Sequence, residues 1–247
     1  MYNKEKIVIR GGLGVLLIGI TGILIVYLFQ NGYVRFNYPS YSQYPVRGID
    51  VSNHQQDIDW QKLDKKSVQF VFMKATEGGD FKDKRFALNW KNAKKNGLVV
   101  GAYHFFTFCR SGEDQARNFI ESVPDEPGTL PPAIDLEYGG NCKLVKTRDE
   151  LMTDIYTYIS LVENHYKKKA VIYVTRDFYE DYLIGHFPEN PLWLRNIYGK
   201  PSRNKTPWTF WQFANKGRLD GIDTFVDLNL FNGTQDDFKE ILAARIE

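Results

Sequence analysis

The chain has 247 residues, 43% hydrophobic and 15% aromatic, enough to bury one large α/β core. Its formal net charge of +2 is accounted for by Lys4, Lys6 and Arg10 against Glu5, and the rest of the chain is balanced. A neutral body argues against nucleic acid as a partner, and two cysteines with four scattered histidines match no common metal spacing.

Gly11 to Phe29 contains no charged residue and is dominated by Leu, Ile, Val and Gly. A helix over these residues spans about 28 Å, close to the hydrocarbon thickness of a bilayer. No small-x-small cleavage site follows, because Tyr27-Leu28-Phe29-Gln30 is bulky. Residues 11–29 are therefore expected to be a retained transmembrane signal-anchor helix rather than a cleaved signal peptide. The basic flank places residues 1–10 in the cytoplasm as a short tail. The protein is then single-pass in the membrane, with its body periplasmic or extracellular. Residues 30–45, with Tyr33, Tyr38, Tyr41 and Tyr44, read as an aromatic linker, and residues 46–247 as the folded domain.

Val46 to Ser52 reads as a first strand, carrying Asp50. Asp59 to Lys66 is expected to be a short helix, with Trp60 and Leu63 at helical spacing. Phe70 to Ala75, Leu98 to Phe105 and Pro131 to Glu137 are the next three strands. Helices are predicted over Asp83–Asn96, closed by Gly97, and from the Ser111 cap to Ser122, stopped by Pro124. Arg148 to Lys168 is the longest helix of the body, with Leu151, Ile155, Tyr158, Ile159 and Val162 along one stripe. Ala170–Val174, Leu192–Ile197, Trp208–Phe213 and Phe225–Leu228 complete eight strands. Thr234 caps a last helix to Ala244. Strands without local alternation, mostly separated by helices, predict a parallel sheet covered on both faces. Eight of them in so short a body predict an α/β fold, an irregular TIM-like (β/α) barrel with some helices missing among the late strands.

The stretch Pro131-Pro132-Ala133-Ile134-Asp135-Leu136-Glu137 ends in two acids on one face of a strand, about 6.5 Å apart along the backbone. Buried strand ends rarely carry two acids for packing, since each unpaired charge costs several kcal/mol. In a barrel the site lies at the C-terminal strand ends. Those ends carry Asp50, Lys74 with Glu77, Tyr103 with His104, Asp135 with Glu137, Tyr173, Gln212 and Asp227. Acids on three separate strands converging at one mouth point to general acid/base chemistry. His104 is read as a structural hydrogen-bonding residue rather than a catalytic one. Cys109 and Cys142 fall on loops after neighbouring strands and are expected to form a disulfide, with free thiols as the alternative. No metal spacing, P-loop or Gly-x-Gly-x-x-Gly occurs, so no metal, nucleotide or other cofactor is expected.

Gly48-Ile49-Asp50-Val51-Ser52, Lys74-Ala75-Thr76-Glu77-Gly78, Gly101-Ala102-Tyr103-His104-Phe105, Asp135-Leu136-Glu137, Trp211-Gln212 and Val226-Asp227-Leu228-Asn229 occur in that order. Together they resemble glycoside hydrolase family 25, the Chalaropsis-type lysozymes or N-acetylmuramidases, from about Arg47 to the C-terminus. The resemblance implies an incomplete β/α barrel and cleavage of the β-1,4 bond between N-acetylmuramic acid and N-acetylglucosamine in peptidoglycan. By position, Glu137 resembles the family's general acid/base. Asp135 resembles the partner that steadies an oxazolinium formed by the substrate's 2-acetamido group. Asp50 and Asp227 resemble the remaining site acids. Lys74, Glu77, Tyr103, Tyr173, Arg195, Trp211 and Gln212 are the expected substrate-binding residues.

Arg195 departs from the small residue that many members of the family carry there. A cation at the mouth pairs with a site acid, binds a lactyl or peptide-stem carboxylate, or bridges to a neighbouring loop. A chitinase-like barrel also ends a strand in Asp-x-Glu, but needs upstream acids where this chain has Leu130 and Ala133. A catalytically silent glycan-binding barrel is the reading from a different class, and retention of all four acids weighs against it.

Overall fold

The computed structural model describes residues 2–34, 38–202 and 207–246, with side chains described from residue 14 onward. The chain divides into two compact units, Met1–Tyr38 and Pro39–Glu247. The first holds helix α1 (Tyr2–Gln30). It is closed by Gly32 at φ 73°, with the Tyr33 N–H donating to the Leu28 carbonyl at 2.9 Å. Among the described residues no helix is long and apolar enough to cross a membrane. The expected span over 11–29 begins on residues whose side chains lie outside those described.

The second unit begins at Pro39, ahead of the expected Val46. The reason is Tyr44, which is buried against Trp208 at 6.0 Å, while Arg47 holds the Tyr44 carbonyl at 3.2 Å and the Pro39 carbonyl. The strands are β1 (Arg47–Val51), β2 (Phe70–Glu77), β3 (Phe81–Lys82), β4 (Val99–Phe105), β5 (Ala133–Leu136), β6 (Val171–Thr175), β7 (Leu192–Arg195), β8 (Phe210–Leu219) and β9 (Ile222–Phe231). Their order is β1-β9-β8-β7-β6-β5-β4-β2-β3, and β1 also pairs with β2, so eight strands close a barrel with β3 as an appendage.

The barrel strands from β1 to β8 pair in parallel, the short β3 pairs antiparallel at the edge of β2, and β9 runs antiparallel to both β8 and β1. This corrects the fully parallel expectation. The cause is local. Asp220-Gly221 turns β8 directly into β9, with Gly221 at φ 92°, a hairpin where a crossover helix was not needed.

Among the described residues three full crossover helices remain: α2 (Phe86–Lys95), α3 (Gly112–Ser122) and α4 (Arg148–Tyr166). The β6–β7 connection keeps one short turn, α5 (Arg176–Phe178), continued by a wide turn over Tyr179–Leu183. Among the described residues no helix separates β7 from β8. The helix expected over Asp59–Lys66 is a run of turns instead. There Asp59 and Asp64 accept hydrogen bonds from the Gln61 and Lys66 backbone amides at 3.2 and 3.1 Å, which competes with helix formation.

Alternation along each strand sorts side chains into two cores. Phe70, Phe72, Ala133, Val171, Tyr173, Trp193, Phe210 and Phe231 fill the barrel, with Phe72 stacked on Trp193 at 4.5 Å. Phe238 of the last helix, α6 (Gln235–Ala243), plugs the bottom against Phe70 and Phe231, 5.6 and 5.2 Å away. The outward residues, among them Ile49, Met73, Ile134, Ile172 and Trp211, pack under the helices. The inward position 48 takes glycine because a Cβ there would stand 2.4 Å from the Phe70 ring. The filled lower barrel leaves only its upper end open to build a site.

Candidate active site

The same alternation decides what reaches the mouth. On β1, Ile49 and Val51 face the helices, so Asp50 faces in. On β5, Ile134 and Leu136 face out, so Asp135 faces in, and Glu137 continues that side just past the strand. On β9, Val226 and Leu228 face out, so Asp227 and Asn229 face in. Asp50 and Asp227 stand directly opposite each other across the antiparallel β1–β9 ladder.

A small cavity of about 100 Å³ is lined by Asp50, Tyr103, Asp135, Glu137, Tyr173, Trp193, Gln212 and Asp227. Above it opens a cleft of about 1060 Å³. Glu137, Tyr173, Gln212 and Asp227 line both spaces; Asp135 and Asp50 line only the inner cavity. Two relays converge on Asp50 Oδ2. The Tyr173 hydroxyl donates to Gln212 Oε1 at 3.1 Å, and Gln212 Nε2 donates to Asp50 at 2.9 Å. Trp193 Nε1 donates to Asn229 Oδ1 at 2.8 Å, and Asn229 Nδ2 donates to Asp50 at 2.7 Å.

These donors fix the protonation pattern. Burial raises the Asp50 carboxyl, while the amides of Asn229 and Gln212 favour its charged form and limit the rise. Asp227 is driven well above the usual carboxylate range by burial and by the facing Asp50 charge. Both shifts favour Asp227 over Asp50 as the protonated member of this facing pair. Asp135 is also raised strongly, by burial first and then by Glu137. Its Oδ1 is buried without a hydrogen-bond partner among the described residues. Burial raises Glu137 too, and the Arg195 guanidinium pulls it back. Tyr103 and Tyr173 are held as neutral phenols by burial and by the surrounding acids.

The other expected residues divide. Arg195 and Gln212 line the cleft. Lys74 and Glu77 pair with each other at 2.6 Å, Lys74 lying 4.7 Å from the Phe105 ring, and neither lines the cleft or the cavity. Trp211 faces away from the barrel, packed 5.8 Å from Trp208, with its Nε1 on the Asn196 carbonyl at 2.8 Å. Gln212 takes the inward place, and adjacent strand residues cannot both have it. Trp193 and Asn229 were missed, although each lies two residues from an expected one, Arg195 and Asp227.

His104 is fully buried outside the barrel. Gln115 Oε1 already accepts the Thr107 amide at 2.7 Å and faces His104 Nε2 at 3.1 Å, so Nε2 carries the proton. Nδ1 then accepts from the Thr76 hydroxyl at 2.7 Å. Burial depresses this imidazole to about 3. Cys109 and Cys142 form a disulfide, with Cα atoms 6.2 Å apart. Beside it, Asn141 Nδ2 donates to the Phe106 and Glu137 carbonyls at 2.8 and 3.1 Å, and its Oδ1 accepts the Phe108 amide at 3.0 Å. The loop that follows Glu137 is thus stapled to the loop after β4. Among the described residues no group of three His, Cys, Asp or Glu side chains is placed to hold a metal ion.

Residues 49–222 match the sequence profile of glycosyl hydrolases family 25. A solved family 25 glycosyl hydrolase from Bacillus anthracis is 39% identical, with a TM-score of 0.77 over 84% of this chain and 98% of that one. Lysozyme M1 of Streptomyces globisporus is 34% identical over 208 residues, 76% of this chain and 68% of the relative. The YegX protein of Escherichia coli K12 is 37% identical over 204 residues, 80% of this chain and 74% of the relative. An eight-stranded mixed barrel with buried acids at its open end is thus matched in both sequence and fold, and the chain belongs to glycosyl hydrolase family 25 and is a glycosidase.

Proposed function

We propose that this chain is a muramidase that cleaves the β-1,4 bond between N-acetylmuramic acid and N-acetylglucosamine in peptidoglycan. Glu137 is the general acid/base. The observation that carries this assignment is that Glu137 lines both the inner cavity and the open cleft, whereas Asp135 lines only the cavity. A glycosidic oxygen lying in the cleft is within reach of Glu137, and burial raises the pKa of that carboxyl, which favours its acid form. Proton transfer from Glu137 to the leaving oxygen accompanies breakage of the bond to the anomeric carbon. Asp135, below, presents an unpartnered Oδ1, suited to accept the N–H of a 2-acetamido group as its oxygen closes on that carbon. Glu137, now ionised, takes a proton from the water that opens the ring. Asp50, held by its relays, keeps Asp227 protonated as a neutral donor to a sugar hydroxyl.

Purified peptidoglycan digested by the full-length chain should yield muramic acid reducing ends in the mass spectrum. Glu137→Gln should lower turnover by about 10²–10⁴-fold. Glucosamine reducing ends, or an undiminished rate in the variant, would overturn the assignment.

α1 carries the membrane attachment in this reading. Val15, Leu16, Leu17, Ile18 and Ile23 are exposed along it, an apolar surface suited to lipid. The body then works outside the cytoplasm, where its disulfide is stable. The intact chain should fractionate with membranes and resist carbonate extraction; recovery in the soluble fraction would sink the anchor.

A further inference from the structure

Arg195 ends β7 on the same side as Trp193, over the barrel mouth, with Thr175 and Gln212 beside it in register. Arg195 is half-buried, and its guanidinium makes no ion pair or hydrogen bond with the described residues. Arginine is costly to leave in that state, since its planar fork of donors is shaped for two oxygens at once. The other cation lining the cleft, Arg176, is tied to Glu180 at 2.8 Å. Glu137 and Asp177 also line the cleft, and Arg195 is the cation there with no carboxylate partner among the described residues. Arg195 acts on Asp50, Glu137, Asp177 and Asp227 from a distance, favouring the charged form of each, without pairing with any.

The next residue supplies a second donor. Asn196 lines the same cleft, and its Oδ1 accepts the Tyr198 and Gly199 amides, both at 3.3 Å. That orientation leaves the Asn196 Nδ2 hydrogens for a ligand. A guanidinium and an amide N–H lining the cleft that Glu137 also lines form a recognition pair for a carboxylate.

We propose that Arg195 and Asn196 form a carboxylate subsite that selects sugars bearing an ionised substituent, and this rests on the glycan-hydrolase reading above. Uncharged amino-sugar polymers leave the guanidinium unpaired and are the poorer substrates. The carboxylate has two possible sources of the same chemistry, the lactyl ether of the sugar and the acidic residues of an attached peptide.

The test uses the full-length chain, Arg195→Gln and Arg195→Lys. Soluble glycan strands are prepared stem-free, with the lactyl acid exposed, or stem-bearing, with that acid in amide linkage. Each is used with its carboxylates free or methyl-esterified. Rates give kcat and KM, and the Glu137→Gln form gives Kd for the same four preparations. Esterification should raise KM and Kd of the parent by about tenfold or more, and leave Arg195→Gln unchanged. Arg195→Lys should recover part of the discrimination. A penalty confined to stem-free strands assigns the lactyl acid; one confined to stem-bearing strands assigns the peptide. Equal KM and Kd for free and esterified strands in both arms overturns the subsite. So does an Arg195→Gln loss that falls on kcat alone, equally for free and esterified strands, with a displaced pH profile, since that marks an effect on Glu137. If the parent cleaves none of the four, the hydrolase reading fails, and the Kd comparison still decides the subsite.

Discussion

Asp227 shows most clearly how the site sets function against stability. Its folded pKa lies well above the ordinary carboxylate value, because it is buried and faces Asp50. A carboxyl raised on folding binds more protons in the native state than in the unfolded chain. Its contribution to stability is therefore full below the unfolded value and declines as pH rises toward the folded one. At neutral pH the unfolded chain ionises Asp227 freely, whereas in the native state burial and the facing Asp50 oppose its ionisation. Asp227→Asn keeps the shape and a hydrogen-bond donor while removing that penalty. It should raise the thermal midpoint at pH 7, by the equivalent of about 1 kcal/mol. Below pH 4 the gain should vanish. A variant less stable than its parent at pH 7 would show that the facing acid pair holds the barrel together. The acids themselves were legible in the sequence, because a carboxylate at a buried strand end has few structural uses. Trp211 and Gln212 were not separable by motif; only the strand's alternation, fixed by Phe210 inside and Phe213 outside, says which one faces in.

Between the barrel and its helices, β2, β4 and α3 are joined through the Thr76–His104–Gln115 chain. His104 also stacks on Tyr158 of α4 at 4.9 Å. The imidazole is neutral in this layer, with a folded value of about 3 against 6.5 when exposed. For this group the sign is opposite to that of Asp227. Its contribution is full above about pH 6.5, where both states are neutral, and is lost as pH falls toward 3 because only the unfolded chain takes the proton. The slope reaches about 1.4 kcal/mol per pH unit inside that window. His104 should remain neutral by NMR at pH 5, the direct readout here, because the raised Asp50, Asp135 and Glu137 carboxyls act with the opposite sign on overall stability in the same window. An imidazole titrating near 6.5 in the native state would remove the argument. At this scale the sequence also explains its own misreadings. The turns over residues 60–67 replaced an expected helix because Asp59 and Asp64 cap backbone amides locally. The β8–β9 hairpin was written as Asp220-Gly221, a strong turn signal that reading strand by strand passes over.

Across the whole molecule, β9 is the one barrel strand that opposes its neighbours, and it supplies both Asp227 and Asn229 to a site otherwise built by parallel strands. It also seals the barrel against β1, so the first strand of the body, already paired with β2, finds its second partner only in the last. Asn229 reaches Asp50 across 179 positions of sequence. Contacts of such separation form slowly and cannot begin during most of translation. Until β9 has left the ribosome and docked, Asp50 lacks the Asn229 donor and its facing acid, and the cavity has no wall on that side. Docking of β9 is thus the step that completes the acid cluster, and a chain clipped ahead of β9 carries Asp135 and Glu137 without Asp227 and Asn229 beside them.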